Sequence, residues 1–355
     1  MDLFEPRTML EAVEQMKRAR RFLGTTFFGA NPVNSVTQHV DIDILKGQRK
    51  MAPFVRPNRP GKVVDRTGSV MRSYQPPYIK PKLETNAGQL LGHRQPGEQI
   101  YSGRTPLQRA GDQLARDMED LDDQINRREE WMVAQALTSG QVEVVGDGVD
   151  DIIDYQMAAS HQVTESVLWT EATADPIADL RKYKRRIAKD SGRTANAAVM
   201  SAEAADAFLD SESVIKKLNT RRIDLGMIRP EELPDGVTYL GYLNDPGVDL
   251  FSYEEWYLDP EGNEQPMIPA GGLVMGPTSS RCGMLYAAIQ DMEAIEGGMF
   301  DVARYPKSWI EKDPSVRWLM MQAALCQASM NRTPSFTPRS HNRPAKMRGF
   351  LCPID

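Results

Sequence analysis

Residues 105–138 read as one long helix, and every other element has to be arranged around it. Thr105 and Gln108 form a capping box, Pro106 takes the favoured first helical position, and Gly140 supplies the stop. Leu107, Leu114, Met118, Leu121, Ile125 and Met132 recur at helical spacings, a single narrow apolar stripe over about 50 Å at the standard rise. The other faces carry eight acids (Asp112, Asp117, Glu119, Asp120, Asp122, Asp123, Glu129, Glu130) against four bases, a balance of −4.

The opposite charge lies upstream. Residues 46–82 hold ten bases (Lys46, Arg49, Lys50, Arg56, Arg59, Lys62, Arg66, Arg72, Lys80, Lys82) against Asp65 alone, a balance of +9. Prolines at 53, 57, 60, 76, 77 and 81 break this stretch more often than a central sheet strand tolerates. It reads as a projecting, extended hairpin that cannot form a core of its own.

At 355 residues the chain has room for about two compact domains, or one elaborate domain with extensions. Before the basic segment, residues 8–23 look like an amphipathic helical arm with Thr8 as cap and Glu11 completing a capping box. Val40, Ile42 and Ile44 then alternate with Asp41 and Asp43 in a strand over 36–45. After Gly140, strands are expected at 142–145 and 149–155. A helix capped at Asp175-Pro176 should run to about Ser191. A buried strand at 197–200, a short helix at 201–209 and strands at 237–243, 249–258 and 273–275 follow. Strand signals resume from Met284 to Ile295.

Motifs for chemistry are sparse. Asp147, Asp150, Asp151 and Asp154 are the best metal candidates and would serve a metal-dependent hydrolase, but they lack the alternating ligands and terminal glutamate of a calcium loop. They read as a turn and the solvent face of a strand. Lys17, Arg18, Arg20 and Arg21 read as a solvated or partner-facing helix end. His39, His93, His161 and His341 stand outside any metal motif, and no GxSxG elbow, P-loop or dinucleotide fingerprint occurs. Cys282, Cys326 and Cys352 lack paired spacing and read as reduced thiols, Cys282 as a buried structural one. No apolar run suits a membrane, no cofactor is expected, and a net charge of −6 argues against whole-molecule nucleic-acid binding. A local DNA-binding module built on 46–82 is the alternative that charge leaves open.

Six separate blocks resemble a known family in its order: TMLEAVEQMKRARRFL at 8–23, VDIDI at 40–44, KMAPFVRP at 50–57, YQPPYIKPK at 74–82, EQIYSG at 98–103 and RREEWM at 127–132. Together they look like the lambda-type major capsid protein family, major capsid protein E, over about residues 4–320. The resemblance implies the α+β Hong Kong ninety-seven-like phage capsid fold and a non-enzymatic subunit that self-assembles into an icosahedral head shell. It divides the chain into an N-terminal arm (1–45), an extended loop (46–88), a peripheral domain with the spine helix (89–171), an axial domain (172–283) and a return to the peripheral domain (284–324). Residues 325–355 form an atypical tail, basic and proline-rich, and the codons open to 324–340 also permit a more family-like ending in the minus-one frame, which points to a frameshift.

The implied partners are further copies of the chain in pentamers and hexamers, scaffold and portal proteins and a small decoration protein. DNA would be enclosed cargo, assembly would take place in the bacterial host cytoplasm, and the destination would be the virion. In that fold the extended loop crosses a neighbour's spine helix. Lys46, Arg49, Lys50, Arg56, Lys62, Arg66, Arg72, Lys80 and Lys82 are therefore expected to meet Asp112, Asp117, Glu119, Asp120, Asp123 and Glu130 across a subunit boundary.

Overall fold

A computed structural model describes the chain from 5 to 329, apart from 16–20, 30–31, 46–50, 64–68, 87–105, 219–225, 234–235, 279–281 and positions 147, 156, 158, 260 and 314. Helix α1 (Pro6–Gln15) opens the arm. It starts two residues before Thr8, which therefore lies inside the first turn rather than capping it. Beyond Leu23 the arm continues as a single π-helical turn, Gly24–Phe28, with Phe27 and Phe28 buried. Short strand β1 (Val33–Asn34) follows, then β2 (Val40–Leu45) and β3 (Ser69–Tyr74), which pair antiparallel from Val40 opposite Tyr74 to Leu45 opposite Ser69. The expected hairpin is thus a two-stranded ribbon.

Its downstream limit needs correction. Strands β4 (Tyr78–Ile79) and β5 (Lys82–Asn86) pair with the main sheet of the body, so the loop does not extend to 88. The prolines are accommodated because Pro81 falls between the two short strands, where its carbonyl still accepts from Met321 N at 3.1 Å.

Helix α2 (Pro106–Thr138) is the spine. Gly140 ends it at φ +72°, where an added Cβ would meet Met157 Cβ at 2.4 Å, so only glycine fits. Strands β6 (Gln141–Gly146) and β7 (Val149–Asp154) form a ribbon against its end. Helix α3 (Pro176–Ser191) follows, capped by Asp175 and closed by left-handed Gly192. Next come β8 (Ala197–Met200), α4 (Ala202–Asp210), α5 (Glu212–Leu218), β9 (Gly226–Leu233), β10 (Val237–Leu243), β11 (Val248–Tyr253), β12 (Trp256–Leu258), β13 (Glu264–Pro266) and β14 (Leu273–Gly276). The single strand expected over 249–258 is two, because β11 pairs with β10 and β8 whereas β12 leaves to pair with β13. Strand β15 (Cys282–Tyr286) also ends early. Asp291 accepts from Glu293 N and caps helix α6 (Met292–Glu296), overriding the strand signal there. Strands β16 (Tyr305–Glu311) and β17 (Val316–Ser329) complete the chain. Leu325 to Ser329 pair with β15, so the strand runs past 324, and the rest of the expected tail, with most of the frameshift reading, lies outside the described residues.

Two sheets result. The five-stranded one has the order β14-β8-β11-β10-β9, with α3, α4 and α5 packed on one face through Ile177, Leu180, Tyr183, Phe208 and Val214. Its other face meets Leu23, Phe27 and Phe28 of the arm and Val133, Ala134 and Leu137 of α2. The six-stranded one runs β1-β15-β17-β16, with β4 and β5 also on β17. Leu319, Met321 and Ala323 of β17 bury Leu114, Met118, Leu121 and Ile125 of α2 together with Met9 and Val13 of α1. The spine helix therefore serves the sheets in succession, β17 along its N-terminal half and the five-stranded sheet near its end.

Candidate functional site: a subunit-association surface

Beyond the β2–β3 ribbon the loop leaves its apolar residues in solvent. Met51 is 88%, Phe54 103% and Val63 91% exposed, and Arg56, Arg59 and Lys62 are exposed among them. Lys46, Arg49, Lys50 and Arg66 lie outside the described residues, and Arg72 sits in β3 opposite Ile42. Lys80 and Lys82 belong to the body instead. Their ammonium groups stand 4.7 Å and 4.6 Å from the ring centroids of Tyr78 and Trp318.

The acids of α2 divide into outward and inward sets. Glu119 and Asp120 are exposed, and Asp112 and Asp123 are half-buried. Burial, then Asp122 close by, pushes the Asp123 carboxyl up. Asp117 and Glu130 are corrections to the expected acidic outer face, since both are buried within the subunit. Asp117 accepts from Gln113 Nε2 at 2.5 Å, and desolvation raises its pKa. An open groove of about 810 Å³ lies alongside. Arg127, Arg128 and Trp131 of α2, Glu143 and Val145 of β6, and Trp256 and Leu258 of β12 line it, with Glu255, Asp259 and Glu264 adding acids. Val145, Trp256 and Leu258 are exposed there, an apolar strip rimmed by carboxylates.

The inward set forms a buried polar node. Arg304 donates to Asp122 Oδ1 at 2.8 Å, to Asn126 Oδ1 at 2.9 Å and to both oxygens of Glu129 at 2.8 and 2.9 Å. Arg21 from the arm pairs with Glu129 and donates to Tyr286 Oη at 2.8 Å, while Tyr286 donates to Glu129 at 3.1 Å. Burial alone would lower the Arg304 pKa, but Glu129, Tyr286 and Asp122 together outweigh it and the guanidinium is held above its ordinary value. Arg21 therefore belongs to this node and not to a solvated or partner-facing helix end. Arg304 gives no sequence signal, although Asp122, Asn126 and Glu129 recur at the same spacings as the apolar stripe beside them. Polar residues placed at core spacing are the one available sign of such a node.

Residues 5–326 match the phage major capsid protein E family. The chain belongs to that family. Among relatives of this capsid protein is the major capsid protein of Escherichia phage lambda, 27% identical over 334 residues, covering 91% of this chain and 95% of that one. Among solved structures, a prophage capsid protein of Escherichia coli CFT073 superposes with a TM-score of 0.73 at 22% identity, covering 95% of this chain and 99% of that one. A phage-related protein of Bordetella bronchiseptica RB50 gives 0.51 at 13% identity, with 92% and 94% covered. The fold of this capsid family member is accordingly the α+β capsid fold expected from the motif blocks.

The remaining candidates sit apart from these features. Asp150, Asp151 and Asp154 are exposed on β7, Asp147 lies outside the described residues, and among the described residues no three His, Cys, Asp or Glu side chains form a metal-holding group. His161 is buried, its Nε2 2.7 Å from Asp190 Oδ2. Among the described residues no helix is long and apolar enough to cross a membrane.

Proposed function

We propose that this chain is the shell-forming subunit of a phage head, associating with copies of itself in pentamers and hexamers to enclose the genome in the virion. Its role is structural rather than enzymatic. In this reading the six-stranded sheet with α2 forms the peripheral domain and the five-stranded sheet with α3 to α5 the axial domain. Assembly in the host cytoplasm, with scaffold and portal proteins and a decoration protein, belongs to the same reading.

The observation that carries it is the β2–β3 ribbon, whose loop presents Met51, Phe54 and Val63 uncovered on a subunit that closes its own core elsewhere. An isolated two-stranded ribbon is marginal in water, and such apolar residues need a surface outside their own chain. The groove between α2, β6 and β12 of a neighbour supplies one, with an apolar floor for Phe54 and acids for Arg56, Arg59 and Lys62. Asp120 lies one helical turn from Gln124 in the groove and extends the acidic approach, with Glu119, Asp112 and Asp123 nearby on the same helix. Magnitudes decide what does which job. Burying Phe54 is worth about 1.5–3 kcal/mol, whereas each exposed ion pair is worth about 0–1 kcal/mol and is screened by salt. The apolar contact holds, and the charges steer each arriving subunit into register.

The test is electron microscopy and sedimentation of the purified chain beside Phe54→Ser. Shells, rings or tubes from the parent chain and folded, unassembled subunits from the variant support the reading. A parent chain that stays monomeric at every concentration contradicts it.

A further inference from the structure

Helices α3 and α4 lie on the same face of the five-stranded sheet and turn stripes of opposite charge to solvent. On α3, Leu180, Tyr183 and Ile187 are buried, while Lys182, Arg185 and Lys189 are exposed. On α4, Ala204, Ala205, Ala207 and Phe208 are buried, while Glu203, Asp206 and Asp210 are exposed. Both charged stripes follow the spacing i, i+3, i+7, about 10 Å of helix at the standard rise. Helix dipoles account for Lys189 in the last turn of α3 and Glu203 in the first turn of α4, but not for Arg185, Asp206 or Asp210. Lys182 is held by Glu165 at 2.9 Å, whereas Arg185, Lys189, Asp206 and Asp210 enter no ion pair among the described residues.

Beside α4 runs a groove of about 580 Å³. Leu168, Ala172 and Ala207 give it an apolar lining, Glu171 and Glu212 join the acids of α4 along it, and no Lys or Arg lines it. Such a groove suits the aliphatic stem of an arginine or a lysine whose charged head stays among carboxylates.

We propose that the α3 stripe of one copy docks on the α4 stripe and its groove in the next copy, forming a second association surface apart from the basic loop. Within one subunit both stripes stay exposed, and each finds its complement on another copy. The matched spacing sets Arg185 and Lys189 against Asp206 and Asp210 across two turns of helix. Because the contact joins two different surfaces it is head-to-tail, and it propagates into a ring or a filament instead of stopping at a pair. Stripes of like charge repel, which disfavours the two-fold alternatives of α3 on α3 and α4 on α4. The inference rests on the reading of the chain as a self-associating subunit, and it adds the direction in which copies follow one another.

Light scattering of the full chain, with circular dichroism as the check on folding, measures the contact. Arg185→Glu with Lys189→Glu should cut the initial assembly rate about tenfold or more and leave the dichroism unchanged. Adding Asp206→Lys and Asp210→Lys to that chain should restore most of the rate. An unchanged rate in the double reversal, or no recovery in the fourfold variant, overturns the proposal. Should the reversed chain fail to fold, Arg185→Gln with Lys189→Gln is measured in its place, a slower rate supporting the contact and an unchanged rate overturning it. The loop contact is tested separately by Phe54→Ser, so failure of the α3 to α4 contact leaves it standing, whereas a parent chain that stays monomeric removes both.

Discussion

Arg304 binds three side chains of one helix, Asp122, Asn126 and Glu129, and is 2% exposed. A buried ion pair contributes little over a well-packed apolar substitute, yet removing one partner strands a charge in the interior. Arg304→Ala should therefore destabilise the subunit by about 3–5 kcal/mol in denaturant unfolding, far more than loss of an exposed arginine such as Arg116. A loss below about 1 kcal/mol would mean that water reaches the node. At Asp150, Asp151 and Asp154, exposed on one strand, the expectation is the opposite. Their joint replacement by Asn, together with Asp147→Asn, should leave both folding and particle formation intact without added metal. Loss of particles that calcium or magnesium reverses would contradict the reading of these groups as solvated.

At the scale of elements, strand β17 is the one whose end matters. Leu325 is fully buried and pairs with Tyr286, and the pairing runs on to Ser329 opposite Cys282. Truncation after Ala324 should lower the thermal stability of the subunit, relative to truncation after Ser329, by at least about 2–5 kcal/mol, the cost typical of losing one buried leucine, because the β15 pairing goes with it. Equal stability of the two truncated chains would contradict the weight given to that pairing.

The same elements indicate how far sequence reasoning reaches. Helices α2 and α3 and strands β8, β10 and β14 were legible because capping residues and periodicity agree with the tertiary environment. Strands β4 and β5 were hidden by prolines that exclude a central strand only when they fall inside it. The end of β17 was hidden by a mixed composition whose pairing depends on β15, distant in sequence. The acidic face of α2 was legible as charge, but not as two sets, because the partners Arg304 and Arg21 come from elsewhere in the chain.

At the scale of the molecule, the association surface combines a loop with uncovered apolar residues and a groove in which Glu143 and Glu264 are exposed. If that complementarity orients subunits, reversing Arg56, Arg59 and Lys62 to Glu should slow assembly and leave the fold intact. Adding Glu143→Lys and Glu264→Lys to the same chain should restore part of the rate, and the dependence on salt should reverse with the charges. Time-resolved light scattering of the parent chain, the triple reversal and the combined variant, with microscopy of the end products, tests this most directly. The expected result is rapid growth of closed particles, slow or absent growth, and partial recovery, in that order. Normal empty shells from the triple reversal, with no response to the second set, would contradict it and assign the basic loop to the enclosed DNA.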